Sequence, residues 1–203
     1  MKKIIVAALA LLISVGASAE GFGIVGGFTS SQMQFKNLDL KSSAGIHAGF
    51  AYNLPLGLGF AFQPELLYNV KGFNWNDLNE GDGSAAWDKA KYGYVEVPLQ
   101  LQWGIDLVML RPYAFVEPFA GYAVSGKKWI NSGEANKIDF ENAKSRLEYG
   151  LGVGAGLEVM SKVQLSFKYF WNFENAQSFA EIKDTVKEGK SFNGLIFSVG
   201  LFF

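Results

Sequence analysis

The chain of 203 residues contains no cysteine and only one histidine, His47. Without cysteine there is neither a disulfide framework nor a thiolate metal site. The sequence also offers no cluster of histidine and carboxylates with metal-ligand spacing, so we expect no metal and no other cofactor. Basic and acidic residues are nearly balanced, with 18 Lys and Arg against 19 Asp and Glu. This balance leaves no basic face, and we therefore expect no nucleic-acid partner.

Residues 1–19 have the pattern of a cleavable secretory signal peptide. Lys2 and Lys3 form a positive start, residues 4–15 are apolar except for Ser14, and 17–19 read Ala-Ser-Ala. A positive start, an apolar run and small residues at a cleavage site are the three parts of such a signal. The apolar run is shorter than the roughly 20 residues of a membrane-spanning helix. We expect cleavage after residue 19, export, and one mature domain over 20–203.

Beyond residue 19 the sequence lacks a convincing helix. The longest charge-free stretch, 42–64, contains Pro55 and four glycines, and its residues alternate in size and polarity. Alternation with a period of two is typical of strands. The 24 Gly, 18 Phe, 8 Tyr and 5 Trp residues also favour short strands and interfaces over helices. The predicted fold class is therefore all-β.

The same alternation, followed along the whole chain, predicts eight strands joined by connections of alternating length. The strands are expected at 21–29, 44–54, 58–71, 92–104, 112–126, 146–159, 162–173 and 193–203. The short connections are 55–57, 105–111 and 160–161, and the long ones are 30–43, 72–91, 127–145 and 174–192. Short turns on one side and long loops on the other are typical of bacterial outer-membrane barrels.

The two faces of the predicted strands differ in a way that indicates a membrane barrel. In 162–173 one face is apolar and carries Val163, Leu165, Phe167, Tyr169, Trp171 and Phe173. The opposite face is mostly polar and carries Lys162, Gln164, Ser166, Lys168 and Asn172. An apolar wall towards lipid and a polar interior predict an eight-stranded antiparallel transmembrane up-and-down β-barrel in the outer membrane.

Aromatic residues are predicted to form a girdle at each rim of this barrel. At the periplasmic rim we expect Phe22, Trp103, Tyr113 and Phe203, and at the outer rim Tyr68, Tyr92, Tyr149 and Trp171. Amphipathic rings of this kind lie at the level of the lipid headgroups.

A layer of charged residues is predicted to close the lumen at mid-height. Counted from the periplasmic turns, its members are His47, Glu65, Glu96, Glu117 and Lys168, with Glu117 on the strand whose facing is least defined by the pattern. An eight-stranded barrel is just wide enough for its side chains to fill. Because isolated buried charges are costly, we expect the carboxylates to pair through Lys168. The alternative is a set of independently hydrated lumen residues.

The last strand ends in an alternation that resembles the C-terminal assembly signal of outer-membrane barrels. Phe197, Val199, Leu201 and Phe203 share one face, and the chain ends on an aromatic residue. Segments 63–68, 94–101, 111–113 and 150–158 resemble recurring segments of the PorT-like outer-membrane β-barrel family, one of the small OmpX-like barrels of eight strands. The resemblance implies three partners: outer-membrane lipid, the barrel-assembly machinery and a protein of the envelope or of secretion.

Three functions are compatible with these features. The first is a structural or interaction barrel with a plugged lumen, serving secretion or envelope assembly. The second is a small channel or porin. The third is a lipid A-modifying enzyme, which typically needs a histidine with a hydroxyl and a carboxylate. His47 is the one histidine available, and no nucleophile motif surrounds the serines near it. We therefore expect no catalytic residues.

Deleting the terminal residue tests the assembly-signal interpretation. We expect removal of Phe203 to lower the amount of protein in the outer membrane far more than removal of a loop residue such as Asn79, because only Phe203 belongs to the C-terminal signal. Membrane fractionation and immunoblotting measure both. Equal outer-membrane levels of the two variants would refute the interpretation.

Overall fold

The computed structural model describes residues 21–33, 41–77, 86–129, 136–137, 146–173 and 192–203. The predicted signal peptide, 1–19, and Asn79 lie outside these residues. The described strands are β1 (Phe22–Met33), β2 (Lys41–Tyr52), β3 (Leu54–Gly57), β4 (Phe60–Asp77), β5 (Ala86–Gly104), β6 (Leu110–Trp129), β7 (Asn136–Lys137), β8 (Leu147–Val159), β9 (Val163–Asn172) and β10 (Phe192–Phe202). In this part of the chain, no helix has the length and apolar character needed to cross a membrane.

Eight long strands close into one antiparallel barrel, as the alternation predicted. Their order is β2-β1-β10-β9-β8-β6-β5-β4, and β2 pairs with β4 to complete the circle. β3 pairs with β4 at the short-turn end, and β7 pairs with β6 at the other end. Closure supplies each wall strand with two hydrogen-bonded neighbours, which a structure surrounded by lipid requires.

The seam between β2 and β4 is irregular, and a serine compensates for it. The register shifts between Ser42 and His47, so Gly72 has no register partner on β2, although it keeps its partner on β5. The Ser31 hydroxyl fills the gap: it accepts a hydrogen bond from the Gly72 N–H at 2.8 Å and donates one to the Gly72 carbonyl at 2.9 Å. A buried backbone group without a partner would destabilise the fold, so this side chain helps to close the barrel.

Three strands are longer than the sequence pattern predicts. β4, β5 and β6 have 18, 19 and 20 residues, whereas about 9–11 suffice to cross a membrane. Their extra residues at this end, 72–77, 86–91 and 127–129, pair with one another and with β7 at 136–137. We call these four segments the outer sheet. The apolar alternation weakens there, which is why the predicted strands stopped earlier.

The outward faces of the wall strands form an apolar surface. Phe28, Phe50, Phe167, Phe197 and Trp103 are among its exposed aromatic members. A soluble protein rarely leaves so much contiguous apolar surface exposed, whereas a membrane barrel covers it with lipid. Phe197, Val199, Leu201 and Phe203 all lie on this outward surface.

The predicted girdles need correction at two positions. Tyr92 and Tyr113 are only 1% and 4% exposed, so their rings point into the lumen and not towards the headgroups. Tyr92 shares the inward alternation of β5 with Glu96, and Tyr113 shares that of β6 with Glu117. The prediction placed both tyrosines in the girdles because of their height along the strands. It overlooked that each lies on the inward face of its strand.

Bulky inward residues of β6 lie opposite glycines of β8. The register pairs Tyr113 with Gly156, Phe115 with Gly154, Glu117 with Gly152 and Phe119 with Gly150. Each missing side chain on β8 leaves room for the large one beside it, a requirement in a lumen this narrow. Glu117 therefore faces inward, which decides the facing of β6.

Two of the short turns contain left-handed residues. Met160 and Ser161, between β8 and β9, have φ angles of 53° and 55°. Positive φ at both central residues is the geometry of a two-residue hairpin turn whose twist matches that of the strands. Between β3 and β4 the same sign of φ is shared by Gly57, Leu58 and Gly59.

Two glycines on the same face of β8 provide a matched test of this packing. A Cβ on Gly154 would lie 2.5 Å from the Phe115 ring and would also clash with the Phe167 carbonyl oxygen. A Cβ on Gly152 would meet its nearest atom at 3.5 Å. We expect Gly154→Ala to lower the free energy of unfolding by about 1–3 kcal/mol, the usual effect of overpacking.

Gly152→Ala is the control and should change stability by less than about 0.5 kcal/mol, as a substitution without steric conflict does. Urea unfolding in detergent micelles, followed by tryptophan fluorescence, measures both. A loss of stability that is equal in the two variants would contradict the close approach at Gly154.

Candidate functional site in the barrel lumen

All five residues of the predicted charged layer are buried in the lumen. They are His47, Glu65, Glu96, Glu117 and Lys168. The structure does not bring them into one layer. Instead they belong to two charged clusters at different heights, with His47 between them.

The lower cluster is built on the ion pair of Lys168 and Glu117. The Lys168 ammonium contacts one carboxylate oxygen of Glu117, and Gln100 donates a hydrogen bond to the other at 2.9 Å. Both oxygens of this buried carboxylate thus have a partner, as a charge removed from water requires.

Glutamines extend the lower cluster towards the short-turn rim. Gln102 donates to Gln100 at 2.6 Å and to Gln63 at 3.1 Å. Gln63 in turn donates to Glu65 at 2.8 Å. These amides both donate and accept, so they link the two carboxylates of Glu65 and Glu117 through neutral groups.

The upper cluster is built on Lys71, which the predicted layer did not include. Its Nζ lies 2.8 Å from Glu96 and 2.9 Å from Glu148. The expectation that Lys168 neutralises Glu96 was therefore wrong, because Glu96 has its own lysine. Asn69 donates to Glu96 at 3.1 Å, and Asn172 donates to Glu148 at 2.5 Å.

Three aromatic rings surround the same lysine. The Lys71 Nζ lies 4.6 Å from the ring centroids of Phe119 and Phe170, and 5.4 Å from that of Tyr94. Cation–π attraction is strongest where the cation has lost its water, and Lys71 is only 1% exposed. Two carboxylates and three ring faces together replace the hydration shell of this ammonium group.

The alternation of the strands already contained a signal for this cluster. Lys71 and Glu148 lie on the same polar faces of their predicted strands as Glu65 and the β8 glycines. Counting heights from the turns left both out, because they lie near the ends of the predicted strands. Because β4 and β5 are longer than predicted, the height at which Lys71 and Glu148 lie is enclosed by barrel wall. No local sequence pattern revealed this extension.

His47 is held by two hydroxyl groups. Its Nε2 lies 2.9 Å from the Ser198 hydroxyl, and its Nδ1 lies 3.3 Å from the Thr29 hydroxyl. Thr29 donates to Asn69 at 2.8 Å, which connects the histidine to the upper cluster. A histidine beside a serine is also the geometry of an activated nucleophile. Here, however, His47 is buried inside the barrel and its second partner is a hydroxyl, not a carboxylate.

One very small cavity lies in the lumen beside the lower cluster. A cavity of about 10 Å³ lies between the lower cluster and Ser198, next to Glu65 and Lys168. That is about the room needed for one water molecule. Side chains therefore close the described part of the lumen at mid-height.

A larger vestibule of about 510 Å³ opens at the short-turn rim. Arg111 separates it from the glutamines. Its guanidinium donates to Gln102 and to the Gly59 carbonyl, both at 2.9 Å, and lies 3.2 Å from Asp106. No group of three or more potential metal ligands is present among the described residues.

The closed antiparallel wall, the apolar exterior and the charged, filled lumen define a transmembrane β-barrel. The chain matches the model of the "Outer membrane protein beta-barrel domain" family over residues 18–178. It therefore belongs to this family and is an outer-membrane protein. The PorT-like resemblance is finer than this match and remains a prediction. No curated protein matches the chain.

Solved structures of similar shape are small outer-membrane proteins. Ail of Yersinia pestis, in complex with the heparin analogue sucrose octasulfate, is 15% identical, with 91% of this chain and 99% of that one covered at a TM-score of 0.45. Neisserial surface protein A is 13% identical, and the match covers 90% of this chain and 97% of that one at a TM-score of 0.45. OprG from Pseudomonas aeruginosa is 13% identical, and the match covers 91% of this chain and 96% of that one at a TM-score of 0.44.

Substituting lysines of different burial tests the two clusters. We expect Lys71→Met and Lys168→Met each to destabilise the barrel by about 3–5 kcal/mol, because each leaves a buried carboxylate without its cation. Lys162→Met removes the same charge from an exposed turn and should change stability by less than about 0.5 kcal/mol.

Urea unfolding in micelles compares the three variants. A further substitution, Glu117→Gln combined with Lys168→Met, removes both charges of the lower pair and should recover part of the lost stability. The ion-pair description fails if Lys168→Met and Lys162→Met unfold at the same urea concentration.

Proposed function

We propose that this protein is a closed outer-membrane barrel with a structural or interaction role and that it neither conducts solutes nor catalyses a reaction. The observation that carries the proposal is the filled lumen, whose described cavity has room for about one water molecule. In the mature protein, cleaved after Ala19, residues 20–203 form this single domain. Outer-membrane lipid surrounds its apolar wall, and the assembly machinery recognises the face of the last strand.

The proposed orientation puts the short turns in the periplasm and the outer sheet outside the cell. Short turns on the periplasmic side and longer connections outside are the rule for such barrels. The outer sheet continues the hydrogen-bonded register of the wall, from Lys71–Tyr92 up to Asp77–Ala86. The outer sheet is therefore a regular hydrogen-bonded surface to which a partner protein of secretion or of the envelope can bind. The PorT-like resemblance supports such a role.

A channel function is disfavoured by the charged clusters. A path for sugars would need both the Lys71 and the Lys168 ion pairs to open, which would separate three buried carboxylates from their cations. Breaking one buried pair is already strongly unfavourable. A small enzyme is disfavoured by the position of His47, since a lipid substrate outside the wall cannot reach a histidine inside it.

Planar-bilayer recording tests the closed lumen. We expect the purified protein to show no steady conductance and proteoliposomes to remain impermeable to small sugars such as arabinose. A large porin reconstituted in the same lipid is the positive control. A steady current, or swelling of the proteoliposomes in arabinose, would contradict the proposal and favour the channel function.

Lipid analysis separates the enzyme alternative. We expect the mass spectrum of lipid A to be identical in a wild-type strain, a deletion strain and a His47→Ala strain. A mass difference present in both altered strains, with normal levels of the His47→Ala protein, would overturn the non-catalytic assignment.

A further inference from the structure

The short turns of the barrel carry exposed apolar side chains at their tips. Leu58 is 95% exposed, and Val108 is fully exposed. Turns that meet water are usually built from Gly, Asn, Asp, Ser and Pro. We call the exposed apolar residues of these turns the apolar rim; they are Leu56, Leu58, Ile105, Leu107, Val108, Met109 and Met160.

Hydrogen bonds join the three turns into one surface. The Gly104 N–H donates to the Gly59 carbonyl at 2.8 Å, which links the turn after β5 to the turn before β4. The Met160 N–H donates to the Met109 carbonyl at 2.9 Å, which links the turn after β5 to the turn between β8 and β9. The apolar side chains therefore lie on neighbouring segments. A contiguous apolar surface of this kind indicates a covering partner, whereas a single exposed residue does not.

The apolar rim continues the lipid-facing wall. On β5 the exposed residues Leu101 and Trp103 are followed, on the same alternation, by Ile105. At the start of β4 the exposed Phe60 is preceded by Leu58. Lipid covers the apolar wall of an outer-membrane barrel, and here the surface with that character extends into the turns.

The height of the apolar belt indicates that lipid reaches the rim. Such a belt is about 25 Å tall, which is about ten residues of a strand tilted near 40°. Tyr68 and Tyr149 are exposed members of the outer girdle and mark the upper boundary. Ten residues down the chain from Tyr68 lies Leu58, and ten from Tyr149 lies Val159, beside Met160. A belt of ordinary height therefore ends in the turns and not above them.

The backbone of the turns suits surroundings with little water. The Ile105 N–H donates to the Pro112 carbonyl at 3.1 Å, and the Leu107 N–H donates to the Leu110 carbonyl at 2.9 Å. Together with the bond from Met160, these contacts satisfy donors that would otherwise need water. Lipid requires internal pairing of this kind, whereas a turn in water does not.

Few charges oppose insertion of the apolar rim. Segment 54–60 has no charged residue, and 105–110 has Asp106 alone. The Arg111 guanidinium lies 3.2 Å from this carboxylate and compensates its charge. Lys162 is exposed two residues beyond Met160, and its long side chain can reach the headgroups while its stem lies along the rim. The charge pattern is thus that of a membrane interface.

We propose that the apolar rim is inserted into one leaflet of the outer membrane, where phospholipid covers the turns. That this is the inner leaflet rests on the orientation proposed above. The rim fixes the depth of the barrel, because any outward movement would expose its side chains to water. The vestibule, which Pro55, Gly57 and Ser161 border, then opens among lipid headgroups and not into bulk water.

Thiol labelling in proteoliposomes tests the insertion, since the chain has no cysteine. Val108→Cys and Leu58→Cys are compared with Lys127→Cys, a position exposed on the outer sheet. A membrane-impermeant maleimide is supplied on both sides of a phospholipid bilayer. We expect it to react with the two rim variants at least about tenfold more slowly than with Lys127→Cys, because a thiol in lipid ionises poorly and is out of reach.

Unfolding supplies the control for this comparison. In urea without lipid the three variants should react at the same rate, which shows that their thiols are intrinsically alike. Heat-modifiable gel migration shows that each variant is folded before labelling in the bilayer. Equal rates in the bilayer for the folded rim variants and Lys127→Cys would overturn the proposal.

Isolated outer membranes separate lipid from a protein partner. We expect Val108→Cys to react equally slowly in native membranes and in proteoliposomes that contain only this protein and phospholipid. Slow reaction in native membranes together with rapid reaction in the proteoliposomes would mean that a periplasmic protein covers the rim. That outcome would refute insertion into lipid.

Dilution in the bilayer tests whether a second copy covers the rim instead. When the ratio of lipid to protein is raised about tenfold, an interface between copies dissociates by mass action, whereas contact with lipid does not change. We expect the labelling rate of Val108→Cys to stay constant, and a rate that rises on dilution would contradict the proposal. Labelling does not depend on conductance, so its failure would leave the closed-lumen proposal unaffected.

Discussion

An eight-stranded barrel encloses only as much space as its inward side chains can fill, and this constraint governs the structure of the protein. A large residue that points inward needs room on a neighbouring strand. On β6 and β8 the register meets this demand position by position, with Tyr113, Phe115 and Phe119 each opposite a glycine. The glycines of β8 are therefore part of the packing of the lumen.

The same narrow lumen decides how charge is arranged inside it. Four glutamates and two lysines are buried together, and a chain of amides, hydroxyls and aromatic rings separates the two ion-pair clusters. Lys71 has ring faces as well as carboxylates around it, which compensates for the loss of water. Buried polar networks of this kind specify one arrangement, because a partly satisfied network costs more than an apolar core.

The outer sheet shows how the wall continues beyond the apolar belt. The register of β4, β5 and β6 runs on beyond the apolar belt, and one extra residue on β6 changes which side chains face outward. Below this extra residue, Val124, the inward residues of β6 fill the lumen. Beyond it, Ser125 and Lys127 are exposed on the outward face.

The sequence by itself determined the fold class, the eight wall strands and, for most of them, the side that meets lipid, because alternation is local and lipid tolerates few charges. It also put His47, Glu65, Glu96, Glu117 and Lys168 in the lumen. Only the tertiary structure decided which charges meet. Partners such as Lys71 and Glu148 are 77 residues apart, and their contact depends on barrel tilt, on the register of non-adjacent strands and on a level of wall that the pattern did not reveal. The inward facing of Tyr92 and Tyr113 could have been predicted from the alternation. The bulge on β6 could not, because an unpaired Val124 has no signature in the sequence.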